Sequence, residues 1–197
     1  MYSLRLWVPA VLLSFLLSIP FPVFAGEPMA QLSASINEFV AIMSNTSVAE
    51  LRATGLPEKA RQLVFARFDF SEMTKRSLGS HWKSLDPTEQ REFVDALTHR
   101  LLVAYGKTVR ATGNEHIQFG REVRDGQQAS VETQVVSGNG DQTPIDYRLH
   151  NVDGQWMVYD VVIERVSIVN NYRSQFERVI AKSSVQDLLR IMKQQDS

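Results

Sequence analysis

A change of period constrains this chain most. Apolar residues recur at about every second position in three runs, His116 to Arg124, Gln128 to Ser137 and Thr143 to His150, and fill most positions of a fourth, Gln155 to Ile163. Asp125-Gly126, Gly138-Asn139-Gly140 and Asp153-Gly154 separate the runs. Period two marks half-buried strands, and glycine beside Asp or Asn supplies the left-handed residues of tight turns, so consecutive antiparallel hairpins are the simplest topology. A two-residue turn at Asp153-Gly154 sets Leu149 opposite Val158, Tyr147 opposite Asp160 and Ile145 opposite Val162. One face then carries Ile145, Tyr147, Leu149, Trp156, Val158 and Val162, and the other carries Asp146, Arg148, His150, Met157 and Tyr159.

On both sides of these strands the period is helical. Met29, Leu32, Ile36, Phe39 and Met43 define a first amphipathic helix. A short helix is expected over Ser47 to Ala53, and another opens at Pro57. Asp69 and Glu72 form a capping box, and Gly79 stops the helix they start. Asp86-Pro87-Thr88-Glu89 is the clearest helix start, and the wide stripe of Phe93, Val94, Leu97, Leu101, Leu102 and Tyr105 follows it to an end near Gly113. After Ser167, Ile168, Val169, Tyr172, Phe176, Val179 and Ile180 return to helical spacing. Ser183 with Gln186 then opens a last helix. Helices, strands, then helices make an α+β fold: a twisted antiparallel sheet of about four strands with helices packed on one face.

The N-terminus reads as an export signal. Arg5 precedes the apolar run Leu6 to Ile19, and Val23-Phe24-Ala25 offers small residues for cleavage after Ala25. The run is shorter than the roughly 20 residues that span a bilayer as a helix. Residues 26–197 then form a single domain. The chain has no cysteine, which excludes disulfides, thiolate metal sites and a lipoprotein anchor. Net charge is −1, so there is no electrostatic footprint for nucleic acid.

Few residues carry chemistry. His81, His99, His116 and His150 lack partners at metal-ligand spacing, and no nucleophile elbow or phosphate loop is present. Tyr147, Tyr159, Asp146 and Asp160 lie on neighbouring strands. A Tyr/Asp pair in a cavity could act as acid and base on a carbonyl substrate. Alternatively, Asp160 pairs with a helix end or with an arginine such as Arg165 or Arg173. The apolar stripes fit a filled core and a lined cavity equally well.

Several segments, in order from Phe68 onward, resemble the MlaC (toluene-tolerance) family of periplasmic phospholipid-binding proteins. Trp156-Met157-Val158-Tyr159-Asp160-Val161-Val162 with Glu164 to Ser167 is similar to the family's Trp-x-Val-Tyr-Asp-Val-x-x-Glu-Gly-Val-Ser strand, and Tyr172-Arg173-Ser174-Gln175-Phe176 to its Tyr-Arg-x-x-Phe helix. Phe68-Asp69-Phe70, Leu78-Gly79-Ser80-His81-Trp82, the helix from Pro87 to Tyr105 and Pro144 to Leu149 also resemble family segments. Arg165 stands where the family usually has glycine. The resemblance implies sheet and helices enclosing an apolar cavity for a glycerophospholipid. It implies no catalytic residues, no metal and no cofactor beyond the lipid cargo. It also implies a periplasmic protein that docks to an MlaD-type component of an inner-membrane ABC complex and to an MlaA-type outer-membrane lipoprotein, maintaining outer-membrane lipid asymmetry; a monomer is the default expectation. A related branch handles hopanoid lipids, which keeps that cargo open. Helical and strand faces assign the lining to Phe93, Leu97, Leu101 and Tyr105, to Val131, Val135, Ile145, Tyr147, Leu149, Val158 and Val162, and to Ile168, Tyr172 and Phe176.

Overall fold

A computed structural model describes residues 27–47, 49–51, 55–106 and 116–194. The expected export signal and the helix end near Gly113 lie outside these residues. Within the helix expected over 47–53, residues 49–51 are helical, and Ser47 Oγ accepts the Glu50 N–H at 3.1 Å. The remainder of that segment lies outside the described residues.

The elements in order are α1 (Glu27–Ser44), α2 (Glu58–Arg67), α3 (Phe70–Leu78), a 3₁₀ segment (Gly79–Ser84), α4 (Pro87–Gly106), β1 (His116–Asp125), β2 (Gln128–Val136), β3 (Gln142–Val152), β4 (Gln155–Ile163), β5 (Val166–Ser167), α5 (Ile168–Ile180) and α6 (Val185–Gln194). The strands form one open sheet in the order β1-β2-β3-β4-β5, each pair antiparallel. The fold is α+β, and the two-residue β5 adds a fifth strand to the four long ones.

Local chemistry sets the helix starts. Asp69 Oδ1 accepts the Glu72 N–H at 2.8 Å and opens α3. Asp86 Oδ1 accepts the N–H groups of Thr88 and Glu89, while Glu89 Oε2 accepts the Asp86 N–H, a complete capping box at α4. Ser167 Oγ accepts the Asn170 N–H at 3.0 Å and starts α5. The start of α6 is one residue later than expected: Ser184, not Ser183, caps it by accepting the Asp187 N–H.

The Asp153-Gly154 hairpin forms as a two-residue turn with φ of 51° and 86°. Its register holds as far as Leu149 opposite Val158. Beyond that pair β4 carries one extra residue, Tyr159, so Arg148 faces Asp160, Tyr147 faces Val161 and Ile145 faces Ile163. The expected pairs Tyr147–Asp160 and Ile145–Val162 are therefore corrected. Val162 faces Asp146 on the opposite side of the sheet, and Val161 and Ile163 take the inner side.

The core lies between the inner sheet face and the helices. It joins Leu32 of α1, Phe70, Met73 and Leu78 of α3, Phe93, Leu97 and Leu101 of α4, strand residues, and Ile168, Phe176, Leu188, Leu189 and Met192 of α5 and α6. At the β4 edge Phe68 bridges to Val158 in parallel, and the Asp69 N–H donates to the Val158 carbonyl at 2.9 Å. This bridge fixes the α2–α3 junction beside the sheet.

Candidate functional site

Three rows cross the inner face of β2, β3 and β4. Ala129, Leu149 and Val158 form the first row, Val131, Tyr147 and Val161 the second, and Thr133, Ile145 and Ile163 the third. Burial loosens along the β3 side of this series and at the β4 end of the third row, while Val131 and Thr133 of β2 stay buried. The first row is sealed, whereas Tyr147 in the second, and Ile145 and Ile163 in the third, keep accessible surface. Phe119 of β1 extends the third row opposite Thr133 and is also half-buried. Along α4 the gradient repeats: Phe93, Leu97 and Leu101 are buried, Tyr105 is half-buried and Val103 is 49% exposed. The backbone of α4 packs on α3 and α6. The apolar layer between sheet and helices is thus buried at one end, and its margin at the other is only half-buried.

The buried end is built by α1 and α2 around Trp156, which is fully buried. Gln31 Oε1 accepts the Trp156 N–H at 2.9 Å, and Gln31 Nε2 donates to the Gly154 carbonyl. Arg67 Nη1 donates to the Trp156 carbonyl at 2.7 Å and to Gln31 Oε1, while its Nε donates to Ser35 Oγ. Glu122 Oε2 accepts the Met29 N–H in the first turn of α1, and the Arg124 guanidinium lies 4.9 Å from the centre of the Trp156 ring. Burial lowers the Arg67 pKa, because the dehydrated guanidinium has neutral acceptors here in place of a carboxylate.

Three tyrosines, Tyr105, Tyr147 and Tyr172, lie at the margin of the core. Tyr172, one turn into α5, is half-buried and packs at 5.7 Å on Phe176. Burial pushes its hydroxyl pKa up, and neighbouring Tyr105 adds to that while Arg100 acts against it. Tyr147 differs from both tyrosines. Protein encloses it closely enough for desolvation to push its hydroxyl up to about 12. It nevertheless retains accessible surface.

Of the residues assigned to the lining from sequence, Val131, Tyr147, Ile145, Leu149 and Val158 share the inner face, and Phe93, Leu97, Leu101, Ile168 and Phe176 join the same core. Tyr105 and Tyr172 pack against its margin. Val135 lies on the inner face beyond Thr133, opposite Ile117 and Thr143, half-buried and outside the core cluster. Val162 does not belong to this set, because the Tyr159 bulge turns it to the other face. Ala129, Phe119, Val161 and Ile163 were not in the sequence-based set. Strict alternation along β1 and β2 points to Phe119 and Ala129, whereas Val161 and Ile163 follow only once the bulge is known.

The bulge also separates the Tyr/Asp candidates. Asp160 is 2% exposed on the outer side, where its Oδ2 accepts from Arg148 Nη1 at 2.9 Å and from Ser167 Oγ at 2.6 Å. Its Oδ1 accepts the Val169 N–H at 3.0 Å, in the first turn of α5. Asp160 thus holds a helix end and an arginine, and that arginine is Arg148 rather than Arg165 or Arg173. Tyr147 lies on the opposite face, so the two groups do not meet. Tyr159 lies against Arg76, 4.0 Å from guanidinium carbon to ring centre, and edge-on to His150. His150 Nε2 lies 3.0 Å from Asp69 Oδ2. Among the described residues no group of three His, Asp or Glu side chains could hold a metal ion.

The remaining segments singled out in the sequence meet in space as architecture. Gly79 adopts φ of 57°, and a Cβ there would lie 3.3 Å from Arg173 Nη2, so the Leu78-Gly79 and Tyr172-Arg173 segments pack directly together. Glu164 and Arg165 form the two-residue β4–β5 turn at φ of 48° and 70°. Arg165 therefore occupies left-handed backbone, where glycine is the unstrained residue.

The family model described as MlaC protein matches residues 33–194. The toluene tolerance protein ttg2D of Pseudomonas putida is 30% identical over 91 residues, which cover 46% of this chain and 42% of that protein. The intermembrane phospholipid transport system binding protein MlaC of Haemophilus influenzae is 25% identical over 126 residues, 61% of this chain and 58% of that one. The matches thus span about half the length of these curated relatives. A phospholipid-binding protein from Ralstonia solanacearum, solved in complex with a phospholipid, has a TM-score of 0.77 at 24% identity, covering 87% of this chain and 97% of that chain. That likeness establishes the fold.

Proposed function

The chain belongs to the MlaC family, and we propose that it is a periplasmic carrier of glycerophospholipid, with the acyl tails in the apolar layer between sheet and helices and the headgroup outside its half-buried end. The observation that carries this reading is the burial gradient, sealed at Leu149 and Val158 and half-buried at Ile145, Ile163 and Tyr105. The phospholipid named for the Haemophilus and Ralstonia proteins supports the choice of cargo.

Each buried methylene contributes about 0.8 kcal/mol, so exposing two ordinary acyl chains to water costs on the order of 20 kcal/mol. A carrier must cover nearly all of that surface and unload only when docked. In this reading the chain exchanges lipid with an MlaD-type component of an inner-membrane ABC complex and with an MlaA-type outer-membrane lipoprotein. It acts as a monomer after cleavage of the signal at Ala25, as a single domain over 26–197, and helps to maintain outer-membrane lipid asymmetry. It binds and releases cargo without changing it. Among the described residues no helix is long and apolar enough to cross a membrane.

Solvent extraction of gently purified protein, followed by mass spectrometry, tests the cargo. Near-stoichiometric phospholipid is expected. Protein free of phospholipid that also takes none from labelled vesicles would refute the reading.

A further inference from the structure

The three inner rows of β2, β3 and β4 contain two polar side chains, Thr133 and Tyr147. The Thr133 hydroxyl is engaged, donating to the Ile145 carbonyl at 2.7 Å. The Tyr147 hydroxyl has no hydrogen-bond partner among the described residues. It also differs from Trp156 Nε1, which lacks a partner but is sealed from any solvent-sized probe. The Tyr147 oxygen is not sealed in that way. Tyr147 keeps accessible surface on the inner face, with Val131 and Val161 as its row neighbours.

An unpartnered phenol in an apolar wall costs free energy unless something accepts its proton, and its ionised form is disfavoured there. We propose that Tyr147 donates a hydrogen bond to an acyl-ester carbonyl of the bound lipid and so fixes the depth at which the lipid sits. The inference rests on the phospholipid-carrier reading. A lipid phosphate is a poor match for this position. No cation lies on the three rows, and a buried unpaired anion is far costlier than a neutral acceptor. An ester carbonyl is neutral and lies between the tails and the headgroup, where the buried end of the apolar layer gives way to its half-buried margin. Tyr147 is accordingly a specificity residue that distinguishes ester-linked from ether-linked chains.

The test compares a diacyl phosphatidylcholine with its dialkyl-ether analogue of equal chain length, by displacement of a fluorescent phospholipid from the full mature protein and from Tyr147→Phe. The wild type should prefer the ester by roughly three- to tenfold, the range of one neutral hydrogen bond. Tyr147→Phe, which keeps the ring, should bind both lipids with the preference abolished. A wild type that binds both equally, or a variant that keeps the ester preference, would overturn the inference while leaving lipid carriage intact. A wild type that binds neither lipid would overturn both. The wild-type comparison stands even where the variant folds poorly.

Discussion

Arg165 sits at φ of 70° in a two-residue turn, and its exposed side chain makes no described contact that offsets the strain. Left-handed backbone costs an L-residue roughly 1–2 kcal/mol, part of which glycine returns through its looser unfolded state. Arg165→Gly is therefore expected to raise stability by roughly 0.5–1 kcal/mol, read as a higher denaturant midpoint at unchanged slope. At Tyr147 the sign is set by a raised pKa. The hydroxyl lies at about 12 when folded, above its ordinary value. The stability that goes with its neutral form is thus complete below about pH 10 and lost as pH rises towards the folded value. Relative to Tyr147→Phe, lipid-free wild type should lose on the order of 2 kcal/mol between about pH 10 and 12. Coincident alkaline unfolding curves for the two proteins would contradict the enclosed hydroxyl.

At the scale of elements, α1 is tied to the β3–β4 hairpin through Gln31 and Arg67 rather than through a long apolar seam. Its buried residues are Pro28, Leu32 and Met43. Removing Arg67 leaves the Trp156 carbonyl and Gln31 without their shared donor. Arg67→Ala should cost about 1–3 kcal/mol, and amide exchange should speed up in α1 before it does in β2 and β3. The elements themselves were legible because their signals are local: Asp86 and Glu89 cap α4 three residues apart, and Asp153-Gly154 sets a turn that needs no distant partner. The Tyr159 bulge was not legible. It turns Asp160 to the outer face, where Arg148, Ser167 and the Val169 N–H meet it. None of those partners is signalled by the period of β4. Period two therefore placed Leu149 and Val158 correctly and misplaced Val162. The same limit applies to the site. Spacing marks Phe93, Leu97 and Leu101 as one apolar face, but which end of that face stays half-buried is set by the packing of distant elements.

At the scale of the whole molecule, the carrier reading has stability and function draw on opposite ends of one apolar layer. The end around Trp156 and Leu149 is closed by α1 and holds the fold, whereas the end around Ile145, Ile163 and Phe119 stays accessible. A bulky side chain at the open end should separate the two. Ile145→Trp is expected to remove most bound lipid while the melting temperature shifts by only a few degrees, since the space it fills is not core. The most direct measurement is photocrosslinking with a phospholipid that carries a diazirine near the tail end or near the glycerol, followed by peptide mapping. The tail-end probe is expected to label the Leu97–Leu101 and Leu149–Val158 segments, and the glycerol-proximal probe peptides holding Tyr147, Ile163 or Tyr105. Labelling confined to the outer-face peptides around Arg148 and Met157, or spread evenly over the surface, would contradict the carrier reading.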